Sequence, residues 1–316
     1  MEEKLIEINH LKKYFHTPAG MLHAVDDVSF VIPKGKTMGV VGESGCGKST
    51  LGRTMLCLDP PTSGEILFRG TDITKLKKKE MKAMRPKVQM VFQDPYSSLN
   101  GRMTVRQLIA EPLLVNKVCR SRDEVDQRVE EMMDTVGLAS RLAASYPHEL
   151  DGGRRQRIGI ARALILNPEF VVCDEPVSAL DVSIQAQILN LLMDLQESMG
   201  LTYLFITHDL SVVRHISNEI MVMYLGKCVE RADAKEIFRN PVHPYTKALL
   251  AAIPIPSVES CHKQRELIQG EVTSPVNPKP GCRFAARCPY ATDACRQGEI
   301  PLKEVSGGHY AACRLV

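Results

Sequence analysis

The stretch that begins at Gly42 limits the possible folds more than any other part of this chain. It reads Gly42-Glu43-Ser44-Gly45-Cys46-Gly47-Lys48-Ser49-Thr50 and satisfies the pattern G-x-x-x-x-G-K-[ST]. An apolar run at residues 38–41 precedes it and predicts a buried strand, and a helical pattern begins at Lys48. Glycines let backbone N–H groups converge on phosphate oxygens, and the N-terminus of a helix adds partial positive charge. The stretch therefore predicts a phosphate-binding loop in an α/β fold.

The polar side chains of this loop have separate expected roles. Lys48 is placed to reach the β- and γ-phosphates, Ser49 to give its hydroxyl to Mg²⁺, and Thr50 to touch the α-phosphate. The alternative is a glycine-rich turn that matches the pattern by chance. The motifs that follow along the chain argue against this alternative.

Composition excludes other classes of protein. The chain has 316 residues, of which 44% are hydrophobic, so it is long enough for one large domain or two of ordinary size. Its formal net charge of +3 is too small to indicate a nucleic-acid partner. No window approaches the roughly 18 uninterrupted apolar residues that a membrane span needs, and the N-terminus lacks a signal-peptide core. We therefore expect a cytoplasmic protein that does not bind nucleic acid.

Short apolar runs separated by turns lie on both sides of the phosphate loop. Residues 5–8, 24–32 and 64–70 have the character of strands, and the first two indicate an antiparallel sheet beside the nucleotide. Tyr14 or Phe15 follows the first run and is placed to stack on adenine. An aromatic side chain in the core is equally consistent with the sequence alone.

Gln93 follows a short predicted strand at residues 88–92. Its amide oxygen is suited to bind Mg²⁺ or the attacking water, and the alternative is an ordinary loop residue. Residues 98–145 then have helical periodicity, and one of these helices opens with a capping box at Ser121 and Glu124. We expect a helical insert that interrupts the α/β pattern.

A second glycine-rich helix start lies at Asp151-Gly152-Gly153. A helical pattern follows at residues 157–164, so the N-terminus of this helix is able to face an anion. The alternative is a plain turn between a loop and a helix. One nucleotide rarely needs two such sites, so a phosphate bound here would belong to a nucleotide held by another subunit.

Acidic and imidazole side chains follow two further predicted strands. The strand at residues 170–174 ends at Asp174, which is suited to hold Mg²⁺ through water, and Glu175 is suited to orient and deprotonate the attacking water. Asp181 lies in a tight turn before a long helix. The strand at residues 203–207 delivers His208, which is placed to donate a hydrogen bond to the γ-phosphate, although a lone histidine is more often structural.

Together these motifs resemble the ATP-binding cassette (ABC) ATPases in content and order. The resemblance assigns Walker A to residues 42–50, the glutamine loop to Gln93, the signature to residues 150–154, Walker B to the strand ending at Asp174 with Glu175, the D-loop to Asp181 and the switch histidine to His208. It implies catalysis by Glu175, His208 and Gln93, and Mg²⁺ held by Ser49, Gln93 and Asp174. It implies ATP contacts from Tyr14, in preference to Phe15, and from Gly42, Ser44, Gly45, Cys46, Gly47, Lys48, Ser49, Thr50, Asp174, Asp151, Gly152, Gly153 and Asp181.

Residues 239–250 and the cysteine-rich end are similar to the C-terminal extension of dipeptide, oligopeptide and nickel importer ATPases. Residues 89–100 resemble the second of the two paired ATPases in such importers, the F chain. The resemblance implies an ABC ATP-binding domain at residues 1–255, with an antiparallel β subdomain and a helical subdomain at about residues 96–165, and a small cysteine-rich extension at residues 256–316.

The same resemblance implies an activity and partners. The protein would hydrolyse ATP to energise the import of dipeptides or oligopeptides, as a peripheral protein on the cytoplasmic face of the membrane. It would pair head to tail with a paralogous ATPase beneath two permease subunits, which an extracytoplasmic solute-binding protein supplies. Alternatives are an importer of nickel or another small solute, and an ABC protein that acts as an ATP switch outside transport.

The signature departs from the usual L-S-G-G-Q and reads Leu150-Asp151-Gly152-Gly153-Arg154. A serine hydroxyl can donate to a γ-phosphate oxygen, whereas an ionised Asp151 repels it, and Arg154 is placed to offset the repulsion. We therefore expect the partner's nucleotide, which this signature completes, to turn over more slowly than the nucleotide bound at Lys48.

Four cysteines near the C-terminus form a candidate metal site: Cys282, Cys288, Cys295 and Cys313. Four thiolates suit tetrahedral Zn²⁺ and an iron–sulfur cluster equally well, and the resemblance favours a [4Fe-4S] cluster over Zn²⁺. Cys261 lies outside the pattern and is expected to be free. Because residues 253–281 are rich in proline and glycine, we expect the metal to hold this end of the chain together.

Overall fold

The computed structural model describes residues 3–253, residue 270 and residues 273–316. The strands are β1 (Lys4–Thr17), β2 (Gly20–Pro33), β3 (Thr37–Val41), β4 (Ser63–Phe68), β5 (Thr71–Asp72), β6 (Val88–Val91), β7 (Phe170–Asp174), β8 (Thr202–Ile206), β9 (Glu219–Tyr224), β10 (Lys227–Asp233), β11 (Lys303–Ser306) and β12 (His309–Ala311). The helices are α1 (Lys48–Met55), α2 (Lys78–Met84), α3 (Pro95–Ser98), α4 (Val105–Asn116), α5 (Arg122–Thr135), α6 (Gly152–Leu164), α7 (Val182–Met199), α8 (Leu210–Ile216), α9 (Ala234–Arg239) and α10 (Pro244–Ala251). The predicted domain boundary at residues 255 and 256, and Cys261, fall outside the described residues.

The chain divides into two compact units. The first unit consists mainly of Lys75–Phe205, and Pro33–Lys36 also belongs to it. The second unit combines Lys4–Ile32, Thr37–Thr74 and the described residues that follow Phe205.

The first unit contains three adjacent strands in the order β8-β7-β6. β6 and β7 are parallel, with Val88 opposite Phe170 and Val91 opposite Cys173. Every residue of β7 and β8 is buried, which explains why both strands read as nearly continuous apolar runs. Parallel strands bring their carboxyl ends to one edge of a sheet, so the residues that follow β6 and β7 lie near each other.

Helices α4, α5 and α6 pack on one another in the first unit, where the sequence predicted a helical insert. Ser121 caps α5, because its hydroxyl accepts a hydrogen bond from the Glu124 N–H at 3.1 Å. The expected capping box is only half formed, because the Glu124 carboxylate accepts from the Arg120 N–H, at 2.8 Å, and not from Ser121. The side chain of Glu124 therefore reaches one residue further back than the pattern predicts.

A sheet with the order β2-β1-β4-β5 lies in the second unit, and β1 runs antiparallel to β4. The predicted antiparallel sheet is present, but β1 is longer than the apolar run at residues 5–8. A register shift between Asn9 and Lys12 lets the strand continue through polar residues. Tyr14 consequently lies within β1 and not after it.

The second unit also contains strands in the order β11-β12-β10-β9-β3, with β3 parallel to β9. The phosphate loop leads from β3 into α1, as predicted. α1 ends at Met55. The reason is Cys57, whose φ of 49° turns the chain into the left-handed region and lets the Leu58 N–H bond back to the Arg53 carbonyl.

The described part of the C-terminal end shares the core of the second unit. Phe284 is 2% exposed and packs against the rings of Tyr224 and Tyr245. The fully buried Glu230 carboxylate faces His309 Nε2 at 2.8 Å and accepts from the His243 N–H at 2.9 Å. Apolar packing and this buried pair therefore tie the end of the chain to β10, a source of stability that the sequence analysis attributed to a metal.

Candidate nucleotide-binding site

The phosphate loop depends on glycine at Gly47, the residue before α1. Its φ is +105°, and a Cβ at this position would lie 2.0 Å from the Ala24 carbonyl oxygen, so no other residue fits without moving the backbone. Gly47 also has no side chain with which to cap α1. The first N–H groups of the helix therefore face the loop, as an anion site requires.

Lys48 is the buried cation of the loop. Its side chain is 4% exposed, and Nζ donates to the Gly42 carbonyl at 2.8 Å and to the Glu43 carbonyl at 3.0 Å. These contacts hold the ammonium group across the loop that its own backbone forms. Ser44 and Gly45 are exposed, Cys46 is buried, and Ser49 and Thr50 are half-buried.

Glu43 is held by residues that the sequence analysis did not single out. Its N–H donates to the Tyr245 hydroxyl at 2.9 Å, and its carboxylate pairs with Arg287 Nη1 at 2.8 Å. Arg287 Nη1 also lies 3.3 Å from the Tyr224 hydroxyl. These partners come from distant parts of the chain, so no local spacing identifies them.

Tyr14 is fixed at its hydroxyl and on one face of its ring. The hydroxyl donates to Asp26 Oδ1 at 2.5 Å, and the ring stacks on His23 with centroids 3.9 Å apart. Burial, followed by the hydrogen bond to Asp26, raises the pKa of Tyr14, so the phenol remains a donor. Phe15 faces the opposite side of β1, where Lys13 Nζ lies 4.6 Å from its ring centroid.

His208 lies in the second unit, like the phosphate loop. The preceding residue, Thr207, donates its N–H to the Val40 carbonyl of β3 at 3.1 Å. His208 is exposed and comes just before α8, which Asp209 caps by accepting from the Ser211 N–H. The imidazole is therefore carried by a segment that is bonded to the strand leading into the phosphate loop.

The first unit brings together Gln93, Asp174 and Glu175 at the carboxyl ends of β6 and β7. Asp174 is 6% exposed, and Gln93 Nε2 donates to Glu175 Oε2 at 3.1 Å. Glu175 has a φ of 45°, a left-handed conformation that costs a non-glycine residue about 1–3 kcal/mol. These groups are two carboxylates and an amide, a set able to hold Mg²⁺ through oxygen and to orient a water molecule.

The glycine-rich start of α6 lies beside the start of α7 within the first unit. Asp151 caps α6, since its Oδ1 accepts from the Arg154 N–H at 2.8 Å, and its Oδ2 lies 3.4 Å from Arg154 Nε. Asp181 caps α7, and hydrogen bonds from the Ser183 hydroxyl and then the Ile184 N–H lower its pKa. Both carboxylates are thus engaged by donors of their own helix.

The four C-terminal thiols are free and line one pocket, together with Phe284 and other side chains. Burial raises the pKa of Cys282 to about 11. Among the described residues, however, no three histidine, cysteine, aspartate or glutamate side chains are grouped closely enough to hold a metal ion. Four thiols are the right kind of ligand for a four-thiolate centre, but these side chains are not grouped as such a centre requires. The described residues therefore do not support the expected [4Fe-4S] cluster or its Zn²⁺ alternative. The described residues also contain no helix that is long and apolar enough to cross a bilayer.

Comparison with protein families identifies two matching regions. Residues 25–178 match the ABC transporter family, and residues 229–295 match the family described as the C-terminal region of oligopeptide/dipeptide transporters. The first region contains Walker A, the glutamine loop, the signature and Walker B. The second contains three of the four clustered cysteines.

Two named relatives match this chain along nearly its whole length. The chain is 58% identical to the oligopeptide transport ATP-binding protein OppF of Bacillus subtilis, covering 99% of this chain and 97% of the relative. It is 48% identical to the dipeptide transport ATP-binding protein DppF of Escherichia coli, covering 100% and 98%.

Two solved structures share the fold. One is the dimeric ATP-binding cassette MJ0796 bound to ADP and Pi, with a TM-score of 0.67 and 30% identity over 73% of this chain and 99% of that chain. The other is cbiO1 of Clostridium perfringens, part of the cbiONQ transporter complex, with a TM-score of 0.68 and 28% identity over 76% and 92%. The predicted α/β cassette fold is confirmed.

Proposed function

This chain belongs to the ABC transporter family, and we propose that it is the subunit that binds and hydrolyses ATP to energise the import of dipeptides or oligopeptides. One observation carries the proposal: a protein named for oligopeptide transport, OppF of Bacillus subtilis, matches 99% of the chain at 58% identity. The geometry of the phosphate loop supports it, because buried Lys48 and the N-terminus of α1 form a site for a polyphosphate.

In the proposed reaction, Lys48 binds the β- and γ-phosphates, and the backbone N–H groups of the loop orient them. Ser49, Asp174 and Gln93 would hold Mg²⁺ through oxygen ligands, and the ion would supply positive charge beside the phosphate oxygens. Glu175 orients the attacking water and accepts its proton, and His208 donates a hydrogen bond to the γ-phosphate. The hydrogen bond from Gln93 to Glu175 supports this assignment, because it ties the glutamine loop to the carboxylate that would act on water.

The proposed partners are those that the family resemblance implies. The subunit would pair with a paralogous ATPase, so that each signature completes the partner's nucleotide site, and the pair would drive two permease subunits supplied by an extracytoplasmic solute-binding protein. This assembly would hold the chain on the cytoplasmic face of the membrane as a peripheral protein. Dimeric packing in the cassette MJ0796 bound to ADP and Pi is consistent with such pairing.

The decisive experiment reconstitutes the chain with its neighbouring ATPase and permeases in vesicles. We expect MgATP hydrolysis that peptide-loaded binding protein stimulates, and uptake of labelled di- or oligopeptide. Lys48→Ala should abolish both activities, because it removes the cation that holds the phosphates. Uptake of nickel in place of peptide would assign the alternative solute, and hydrolysis that never couples to the permeases would favour an ATP switch outside transport.

We also propose that the two nucleotide sites of the assembled pair turn over unequally. Asp151 carries a carboxylate where the usual signature has a serine hydroxyl, and the exposed Arg154, whose Nε lies 3.4 Å from Asp151 Oδ2, only partly offsets its charge. Glu175→Gln in this chain and the equivalent change in the partner should therefore leave different residual rates of hydrolysis. Equal residual rates would contradict the asymmetry.

A metal centre at the C-terminal end is a separate proposal. It rests on donor type alone, since Cys282, Cys288, Cys295 and Cys313 are free and line one pocket, whereas the grouping of the described side chains does not favour it. Protein purified without oxygen should contain iron and acid-labile sulfide with a visible absorption band, and Cys282→Ser should lose all three. Stoichiometric zinc without sulfide would assign Zn²⁺ instead, and the absence of both metals would exclude a centre.

A further inference from the structure

Two arginines on the C-terminal segment reach the residues that shape the nucleotide site of the second unit. Arg283 follows Cys282, and Arg287 precedes Cys288. Both arginine side chains are 7% exposed. Arg287 pairs with Glu43 of the phosphate loop, and Arg283 pairs with Asp26, the acceptor of the Tyr14 hydroxyl.

We propose that Arg287 and Arg283 are positioning residues through which the C-terminal segment sets the affinity for the nucleotide. Arg287 acts on the phosphate end of the site through Glu43, and Arg283 acts on the adenine end through Asp26 and Tyr14. The inference rests on the proposed ATP-binding function of the loop. Neither arginine is expected to touch the nucleotide.

At the phosphate end, Glu43 links the C-terminal segment to Lys48. The Glu43 carbonyl accepts from Lys48 Nζ at 3.0 Å, its N–H donates to Tyr245, and its carboxylate pairs with Arg287. The hydrogen bond to Glu43 is the largest cause that raises the pKa of Arg287, so the guanidinium stays charged. Without Arg287, an unpaired carboxylate would lie in a loop that binds a polyanion, and its repulsion would oppose binding.

At the adenine end, Asp26 is surrounded by donors. Burial opposes its ionisation, but the hydrogen bond from Tyr14 and the positive charge of Arg283, followed by smaller charge contributions, lower its pKa. Arg283 also donates to the Leu225 carbonyl, so its guanidinium is fixed at two points. Loss of Arg283 would leave a buried carboxylate without its closest cation and would weaken the restraint on Asp26, the acceptor that positions the Tyr14 hydroxyl.

Phe284 keeps both arginines in place. It lies next to Arg283 in the chain, is 2% exposed, and packs on Tyr224 and Tyr245 with ring centroids 5.3 Å and 5.2 Å away. The buried packing of Phe284 therefore fixes the backbone that carries Arg283 and Arg287, as a positioning role requires.

Two ligands, one with the adenine base and one without it, distinguish the effect of the Arg287–Glu43 pair from that of the Arg283–Asp26 pair. Dissociation constants are measured on the full-length chain by displacement of a fluorescent ATP analogue, with MgATP and with magnesium tripolyphosphate, which lacks the base. Arg287→Ala should weaken both probes by about tenfold, which corresponds to about 1.4 kcal/mol. Arg283→Ala should weaken MgATP by a similar factor and leave tripolyphosphate unchanged.

Three further variants distinguish positioning from general destabilisation. Arg287→Lys should recover part of the affinity, because a cation near Glu43 is restored. In a Glu43→Gln background, Arg287→Ala should have little effect, since the charge it neutralises is gone. Arg296→Ala is the matched control: its arginine lies in the same segment, pairs with the exposed Asp293, and should leave both dissociation constants at the wild-type value.

Several results would overturn the inference. Wild-type affinity in both alanine variants would remove the positioning role, and equal weakening of both probes by Arg283→Ala would indicate a general loss of structure. An undiminished effect of Arg287→Ala in the Glu43→Gln background would show that Glu43 is not the route. Failure of the wild-type chain itself to bind MgATP would instead contradict the proposed function.

Discussion

The close approach of α6 to α7 predicts a large effect of a single methyl group at Gly153. A Cβ built on Gly153 lies 2.7 Å from Ile184 Cγ2, whereas ordinary contact begins at 3.4 Å, so the Ile184 side chain or the helix starts must move by about 0.7 Å. Overpacking of this kind costs about 1–3 kcal/mol. Because misplacement by about 1 Å can reduce an enzymatic rate by about 100-fold, we expect Gly153→Ala to lower ATP hydrolysis by on the order of tenfold or more.

The assay is steady-state ATP hydrolysis by the reconstituted complex, together with MgATP binding by the isolated chain. Binding should remain unchanged, since Gly153 completes the partner's nucleotide site in the proposed pairing. Gly159→Ala is the matched control, because it lies in the same helix with nothing within 4 Å of the added Cβ. It should retain full activity and gain up to about 1 kcal/mol of helix stability.

A second variant tests the stated cause. Ile184→Ala removes the methyl group that the new Cβ would meet, so combining it with Gly153→Ala should restore much of the rate. Wild-type hydrolysis by Gly153→Ala would refute the reasoning. A slow double mutant would show that the loss does not come from contact with Ile184.

Two other predictions concern the second unit. Gly47→Ala should abolish MgATP binding on a fluorescence titration, because the added Cβ would lie 2.0 Å from the Ala24 carbonyl and its backbone has a φ of +105°; retained binding would contradict this geometry. Burial lowers the pKa of His243 from 6.5 to about 4, so between these values only the unfolded chain gains the proton. Urea denaturation should therefore show about 2 kcal/mol lower stability at pH 5 than at pH 7.5 from this group. His243→Asn, which keeps an acceptor for the Tyr245 N–H, should show a smaller difference; an equal difference would assign it to other groups.

Local patterns were sufficient for the elements that carry the candidate site. β3, the phosphate loop and α1 were predictable because a strand, three glycines and a lysine at fixed spacing have one common use. Their ends were less predictable. α1 stops at Met55 because Cys57 adopts a left-handed conformation, which no simple rule assigns to cysteine. β1 extends through Tyr14 because pairing with β4 outweighs the low strand propensity of the polar residues that precede Tyr14.

Contacts between distant segments could not be predicted in this way. Glu43 and Arg287 are 244 positions apart, and nothing near either residue marks it as a partner of the other. The buried Glu230 and His309 likewise meet only when β12 pairs with β10. Charged residues are common at surfaces, so the sequence offers no reason to select these pairs from the many others available.

The amino-acid sequence by itself determined the cassette fold, the phosphate loop and the order of the motifs, because backbone requirements of phosphate binding act over a few adjacent residues. Only the tertiary structure decided that the C-terminal segment shares the core of the second unit and sends Arg283 and Arg287 to Asp26 and Glu43. Such pairs depend on which surfaces pack together, and packing is a property of the whole chain.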